Sequence, residues 1–214
     1  MTTTINNSGS NGANNTIPPP PQEAQTPPVA MQGSAGQDSG KSCGVQAGSG
    51  GNGLPGLNGI DGRNGGNGSD GYQIVLNITN MTGHYTLLAN GGNGGDASDG
   101  GSGGPGQIGG PGGAPSSHCA GGTQGAGGNG GVGGNGGNGG SAGDGANITV
   151  TYQMGNPTFT TSAVGGKAGR SGVGGVGGPG GAGDPNGSMG QPGAVAPQPQ
   201  NGKPGQIHIQ GPTS

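Results

Sequence analysis

The sequence lacks most of the side chains from which proteins build cores and active sites. It has no Trp, one Phe and three Tyr among 214 residues, and only 24% of its residues are hydrophobic. Glycine and proline, with 64 and 18 copies, take their place. The chain is therefore long enough for one or two domains but too poor in side chains for an ordinary hydrophobic core.

Charge is equally scarce, at 6% of residues and a formal net charge of −3. Five Lys plus Arg cannot form a basic stripe that follows phosphates, so nucleic acid is excluded as a partner. Low charge also argues against a chain held open by self-repulsion. Three explanations remain for this composition: low-complexity disorder, collagen, or an ordered lattice that depends on glycine.

Long apolar runs are missing too. No segment approaches the roughly 18 apolar residues of a membrane helix, so we expect no membrane insertion. The first residues, MTTTINNSGS, contain neither the basic region nor the apolar region of a conventional signal peptide.

What the sequence does contain is a repeat of 74 residues. Asp70 to Pro111 matches Asp144 to Pro185 without a gap. We predict repeat 1 over 43–116 and repeat 2 over 117–193, which together form a glycine-rich domain from residue 41. An Asn/Thr/Pro-rich arm (1–40) precedes it, either disordered or inserted into a partner, and a Pro-rich connection with a terminal strand (194–214) follows.

Each repeat contains a segment of alternating apolar residues. Ile74, Leu76 and Ile78 alternate, a turn follows at 80–83, and Tyr85 and Leu87 alternate again. The second copy repeats this pattern around a turn at 154–157. Each repeat is therefore predicted to contain a β-hairpin.

The remainder of each repeat carries glycine at every third residue, which is the period of a polyproline II helix. Such a helix makes no internal backbone hydrogen bonds, so its amides must pair with neighbours. Gly-Gly-Xaa triplets leave two bare faces, which suits a packed array better than a collagen triple helix. The predicted fold is all-β with polyglycine II: two 74-residue repeats, each a hairpin feeding a bundle of glycine-rich helices.

The sequence contains only weak matches to metal-binding and catalytic motifs. The segment Gly91–Asp99 comes near a calcium-binding nonapeptide, but Ser98 stands where a large apolar residue is needed. His118 and Cys119 are neighbours, yet two ligands are too few for zinc. Strands this short cannot build the surroundings that a catalytic group needs. We expect no enzyme activity, no metal and no cofactor.

Cys43 and Cys119 each stand just before a glycine-rich tract, at nearly the same place in the repeat. A disulfide between them would join two adjacent tracts and stabilise the fold by roughly 2–4 kcal/mol. The alternative is two free, half-buried thiols.

Glycine helices present no side chains to a ligand, so any binding is expected in the connections. The candidate ligand-binding residues are Asn80, Met81, Thr82, Gln153, Met154, Asn156, Ser116, His118 and Asn186.

The tracts Gly127–Gly140 and Gly172–Gly181 resemble two kinds of protein. In bacterial glycine-rich, collagen-like repeat proteins a strand segment ending in Ala-Xaa-Gly-Gly feeds a glycine tract, as LLANGGNGG does here. The tract is also similar to the polyglycine II domain of T-even-like phage tail-fibre adhesins, which presents loops to a receptor. Insect glycine-rich antifreeze proteins share the period, but this chain has no regular row of Thr or Ala at the Xaa positions.

These resemblances cover about residues 44–193 and imply an extracellular, cell-surface or virion location. The leading hypothesis is a non-enzymatic structural protein, a surface-matrix or filament subunit. It would self-associate through exposed strand edges and unpaired glycine helices. The alternative is a receptor-binding adhesin whose loops contact a cell-surface receptor.

Overall fold

The computed structural model describes residues 2–26 and 28–212. These contain eight β-strands and no helix, so the fold is all-β. Within those ranges nothing could cross a membrane as an apolar helix. The strands are β1 (Thr2–Asn6), β2 (Gln37–Ser39), β3 (Ser42–Val45), β4 (Ile74–Asn80), β5 (Gly83–Leu88), β6 (Ile148–Met154), β7 (Pro157–Ser162) and β8 (Ile207–Gln210).

Six of these strands form two parallel three-stranded sheets, with the orders β1-β5-β7 and β4-β6-β8. Strand β4 pairs with β6, and β5 with β7, so that each residue lies beside the residue 74 positions later. Ile74 thus pairs with Ile148, and Ile148 pairs in turn with Ile207 of β8. Residues of similar character therefore stack in ladders across each sheet, and the expected terminal strand is present.

The predicted β-hairpins are wrong. Strands β4 and β5 lie in different sheets, and the chain arches from one to the other instead of folding back as a pair. Gly155 has a φ of 109° at the second arch, a conformation that side chains other than glycine rarely adopt. A lone hairpin is marginal in water, whereas pairing between the two repeats and with a terminal strand makes two three-stranded sheets that pack against each other.

The hydrophobic core lies between the two sheets. Ile148 and Val150 of β6 and Leu87 of β5 are fully buried there, together with Met81 from the first arch. Tyr85, Tyr152 and Phe159 pack against this cluster. The alternation predicted for these strands is therefore correct, although their partners are not.

Six glycine-rich segments without regular secondary structure connect the strands. We number them segment 1 (7–26 and 28–36), segment 2 (46–73), segment 3 (89–116), segment 4 (120–147), segment 5 (163–182) and segment 6 (186–206). Their hydrogen bonds recur at every third residue. For example, the amides of Gly53, Gly56 and Gly59 in segment 2 donate to carbonyls of segment 4.

The pattern of these bonds defines two layers. Layer I contains segments 1, 3 and 5, layer II contains segments 2, 4 and 6, and segments within a layer run parallel. Between layers they run antiparallel, as when the amides of Gly128 and Gly131 in segment 4 donate to Gln107 and Gly104 of segment 3. Segment 4 therefore has neighbours in both layers.

Of the two alternatives for the N-terminal arm, disorder is wrong for the described residues, and insertion into a partner stays a prediction. Strand β1 pairs in parallel with β5, and the amides of Gly9 and Gly12 in segment 1 donate to segment 3. The arm ends in the antiparallel pair β2–β3. It is ordered because glycine and asparagine recur there at positions that let its backbone lie against the bundle.

Candidate functional site

Segment 4 shows what the inside of the bundle requires. A Cβ built on Gly131 would lie 1.9 Å from the carbonyl oxygen of Leu57, and one on Gly130 would lie 1.8 Å from that of Gly178. Both distances are far below ordinary van der Waals contact. The backbones therefore approach so closely that glycine is needed on two faces of this segment, as the paired glycines predict.

Between the glycines, asparagine and aspartate form ladders that sequence analysis did not recognise. Oδ1 of Asn58 accepts the amide hydrogen of Val132, 74 residues on, at 3.0 Å, and Oδ1 of Asp61 accepts that of Asn135 at 2.7 Å. The side chains that do the same at the offset of 74 are Asn52, Asn64, Asn67, Asp70, Asn90, Asn93, Asp96 and Asp99. The sequence does show this pattern, because Asn or Asp recurs at three-residue spacing between the glycines.

The ladders stop at the last segment of each layer. Asn129, Asn135 and Asp144 of segment 4 still accept amides from segment 6. The amides of segment 6 that donate to these ladders, including one that donates to Asn147, belong to Ser188, Ala194, Lys203 and Gln206, and none of these residues is Asn or Asp. In segment 5 the receiving residues are Val164, Lys167, Arg170 and Val173. No further segment can be bound at this edge by the same device.

The outermost segments of layer II also lose the glycines that allow close approach. In segment 2, the positions 74 residues before Gly128, Gly131 and Gly134 are Leu54, Leu57 and Ile60. We call these three residues the N-edge row. A Cβ on any of these three glycines of segment 4 would point at segment 2. Segment 2 runs parallel to segment 4, so the side chains of the N-edge row point away from segment 4, out of the layer.

Large apolar side chains also lie on segment 6, at the other end of layer II, but on a different face. A Cβ on Gly130, Gly133 or Gly136 would point at segment 5 of layer I. In segment 6, the positions 59 residues after Gly130, Gly133 and Gly136 are Met189, Pro192 and Val195. We call these the C-edge row. Met189 is 67% exposed and Val195 68%, while the N-edge row is 51–56% exposed. Both edges of layer II therefore end in large apolar side chains in contact with solvent.

The edge strand β8 continues the apolar core to the surface. Ile148 and Val150 of β6 are fully buried, whereas their neighbours Ile207 and Ile209 in β8 are 44% and 38% exposed. The strand at the other edge of this sheet is β4. Each of the two sheets thus has an open strand at either end.

The structure divides the predicted loop residues between two places. Asn80, Thr82, Gln153, Met154 and Asn156 lie exposed at the two arches, where the amide of Met81 donates to the carbonyl of Met154. Met81 itself is fully buried in the core. Its prediction as a ligand-binding residue is therefore wrong, because the arch turns its side chain inward.

Ser116, His118 and Asn186 lie at the other end of the glycine-rich segments. Asn186 accepts the amide hydrogen of Gly183 and closes its own turn. The Ser116 hydroxyl donates to Asp38, as do the amides of Ser117 and His118. The imidazole Nδ1 of His118 lies 3.3 Å from the same carboxylate.

Asp38, which sequence analysis missed, thus anchors this loop. The Ser116 hydroxyl, followed by the His118 side chain and the two amides, lowers the pKa of the Asp38 carboxyl below its ordinary value, against an opposing effect of desolvation. The serine hydroxyl and the two amides all donate to this one carboxylate, so the cluster holds the loop in place. Cys43 and Cys119 form a disulfide beside it, with 4.8 Å between their Cα atoms, as one of the two alternatives predicted.

Across the described ranges, no three His, Cys, Asp or Glu side chains cluster in a way that could hold a metal ion.

Comparison with known proteins adds little to this geometry. No family model and no curated protein matches the sequence. Among solved structures, the chain is similar to the nine polyproline type II helical bundle springtail antifreeze protein from Granisotoma rainieri. The two are 32% identical over 63% of this chain and 93% of that chain, with a TM-score of 0.11. Superposition at that level supports no conclusion about fold or function.

Proposed function

We propose that the protein is a non-enzymatic structural protein of the cell exterior, a surface-matrix or filament subunit that associates with copies of itself. The observation that supports this best is the exposure of large apolar side chains at two opposite edges of layer II, in a chain with few such residues. Contiguous exposed apolar surface is typical of interaction sites.

The proposal includes a finer description of the fold. We take the six segments to be polyproline II helices, packed as polyglycine II, within two 74-residue repeats. Hydrogen bonds at every third residue support this, because three residues make one turn of such a helix. Circular dichroism should then give a polyproline II spectrum with a minor β component, and an α-helical signal above about 10% would contradict it, since glycine disfavours helix by about 1 kcal/mol per residue.

An exterior location is supported by the disulfide between Cys43 and Cys119. Disulfides persist in oxidising compartments and are rare in the cytosol.

The manner of association differs from the original hypothesis. Pairing of unpaired glycine helices between copies needs glycine along the outer edges, and Leu54, Leu57 and Ile60 take the place of glycine along the middle of segment 2. We therefore propose association through edge side chains and open strands.

A receptor-binding adhesin stays the second candidate, because Asn80, Thr82, Gln153, Met154 and Asn156 are exposed together at the arches. Exchanging these residues should change which surfaces the protein adheres to and leave its melting temperature nearly unchanged. Unaltered adhesion after exchange of the arches and of the loop at 114–118 would remove this candidate.

Negative-stain images of the purified full chain, with sedimentation velocity over a range of concentrations, test the main proposal. Filaments, sheets or a concentration-dependent series of oligomers are expected. Monodisperse particles of about 20 kDa at every concentration would contradict self-association.

A further inference from the structure

We infer that Asn138 is a site of spontaneous deamidation, where the side-chain amide is lost as ammonia and aspartate or isoaspartate takes its place. The inference concerns a modification of the folded chain and does not depend on the proposed function. It starts from the twelve Asn-Gly pairs of the sequence, because deamidation is favoured where the next residue has no side chain to hinder attack by its backbone nitrogen. The asparagines of these pairs are Asn11, Asn52, Asn58, Asn64, Asn67, Asn90, Asn93, Asn129, Asn135, Asn138, Asn186 and Asn201.

The reaction takes place within the pair itself. The backbone nitrogen of the glycine gives up its proton and attacks Cγ of the asparagine, a C–N bond forms, and the Cγ–Nδ2 bond breaks with release of ammonia. The product is a cyclic succinimide, which water opens at either carbonyl to give aspartate or isoaspartate. Two contacts therefore oppose the reaction: one that holds the glycine N–H on an acceptor, and one that holds the asparagine side chain away from its own backbone.

The bundle supplies both contacts to eleven of the twelve pairs. In each of them the glycine amide donates to a backbone carbonyl of another segment, and Oδ1 of the asparagine accepts a backbone amide hydrogen. At Asn135, for example, Oδ1 accepts the amide hydrogen of Ala194 at 2.9 Å, and the Gly136 amide donates to the carbonyl of the same Ala194 at 2.9 Å. The ladders thus protect the asparagines that form them.

Asn138 is the exception and has neither contact. The residue 59 positions later, which would supply the amide hydrogen, is Pro197, and proline has no N–H. Among the residues that the structure describes, the Asn138 side chain has no hydrogen-bond partner. The Gly139 amide donates to the hydroxyl of Ser171 at 3.0 Å instead of to a carbonyl, and this hydroxyl donates to the carbonyl of Pro197 at 2.6 Å.

The site is also open to water, which the second step consumes. Asn138 is exposed and lines an open groove of about 430 Å³, together with Asp61, Asn64, Val195 and Pro197. The reaction adds a second carboxylate to the groove that Asp61 lines. Isoaspartate also lengthens the backbone by one atom, which disturbs the three-residue register of segment 4. The modified fraction therefore increases with the age of the protein.

The chain contains its own matched controls. Asn93, Asn129, Asn135 and Asn138 all lie in the same local sequence, Gly-Asn-Gly-Gly. Their rates in the unfolded chain should therefore be equal, so a difference in the folded chain comes from the structure. The backbone amide of Asn138 donates to Oδ1 of Asn64 as the ladder requires, so the two missing contacts are what distinguishes this pair.

The test follows deamidation of the folded, full-length protein at neutral and mildly alkaline pH. Mass spectrometry with electron-transfer fragmentation locates each modified asparagine and distinguishes isoaspartate from aspartate. We expect Asn138 to react about tenfold faster than the three control asparagines, as the loss of one or two opposing hydrogen bonds implies. In urea, where the chain is unfolded, the four sites should react at similar rates.

Two variants test the cause. Pro197→Ala supplies the missing amide hydrogen and should slow the reaction at Asn138 towards the rate at Asn135. Pro192→Ala removes another exposed proline of segment 6 without adding a donor to the ladder, and should leave the rate at Asn138 unchanged. Thermal unfolding confirms that both variants are folded.

Either of two results would overturn the inference. One is a folded protein in which the four sites react at equal rates, or in which a control asparagine reacts fastest. The other is a rate at Asn138 that Pro197→Ala leaves unchanged, since the missing ladder bond would then not be its cause.

Discussion

Replacing Gly131 by alanine should destabilise the protein far more than replacing its neighbour Val132 by alanine. The added Cβ would lie 1.9 Å from the carbonyl oxygen of Leu57, where ordinary contact begins at 3.4 Å. Since the obstacle is backbone and not a flexible side chain, segments 2 and 4 must separate by about 1.5 Å.

The magnitude follows from the bonds at that point. Two backbone bonds join segments 2 and 4 on either side of Gly131: the amide of Gly56 donates to Asn129 at 2.8 Å, and that of Gly59 donates to Val132 at 2.7 Å. Each buried amide left without its acceptor costs about 1–3 kcal/mol. Loss of one or two of them costs about 2–4 kcal/mol, offset by about 0.4–1 kcal/mol from the stiffer unfolded chain.

We therefore expect Gly131→Ala to lower the free energy of unfolding by about 2–3 kcal/mol and the melting temperature by about 5–10 °C. Val132→Ala, at a position 42% exposed, should change stability by about 0.5 kcal/mol or less. Scanning calorimetry and urea denaturation measure both variants. Equal shifts for the two would mean that segments 2 and 4 do not pack as described. Asn135 is unsuitable as a control, because its Oδ1 accepts the amide of Ala194.

Three further outcomes are expected. Asn58→Ala should cost about 0.5–1.5 kcal/mol in urea denaturation by removing the acceptor for the Val132 amide, and Asn58→Asp should not. The lowered pKa of Asp38 contributes stability that is present above its unfolded pKa of about 3.9 and is lost as the pH falls through the folded value. Thermal unfolding at a series of pH values should show this loss, and Asp38→Asn should reduce it. Replacing Cys43 and Cys119 by serine should cost about 2–4 kcal/mol, measured by urea denaturation, without changing the circular dichroism spectrum.

The sequence by itself determined the periodic features of this protein. The 74-residue offset between residues such as Ile74 and Ile148 is also the offset between paired strand residues. The three-residue spacing of glycine is also the spacing of the hydrogen bonds between segments. These features follow from sequence because a stack of similar units brings equivalent residues side by side. Each residue then needs a side chain that fits beside its counterpart, so equivalent positions of the two repeats carry similar residues.

Only the tertiary structure decided which strands pair. Alternation of Ile74, Leu76 and Ile78 indicates one buried face, and that face is equally well buried in a hairpin or in a parallel stack. The choice depends on contacts between residues 74 positions apart, which an isolated repeat does not contain. For the same reason the exposed arch predicted around Met81 hides one of the largest buried side chains in the core.

The edges were also decided by the tertiary structure. Leu57 and Gly131 hold equivalent positions in two repeats. The local sequence does not show that segment 4 has a neighbour on each side within its layer while segment 2 ends the layer. The difference is set by how many segments stack, which is a property of the whole chain. Glycine is required where another backbone lies within about 2 Å of the missing Cβ, and a large apolar side chain is allowed where no further segment follows.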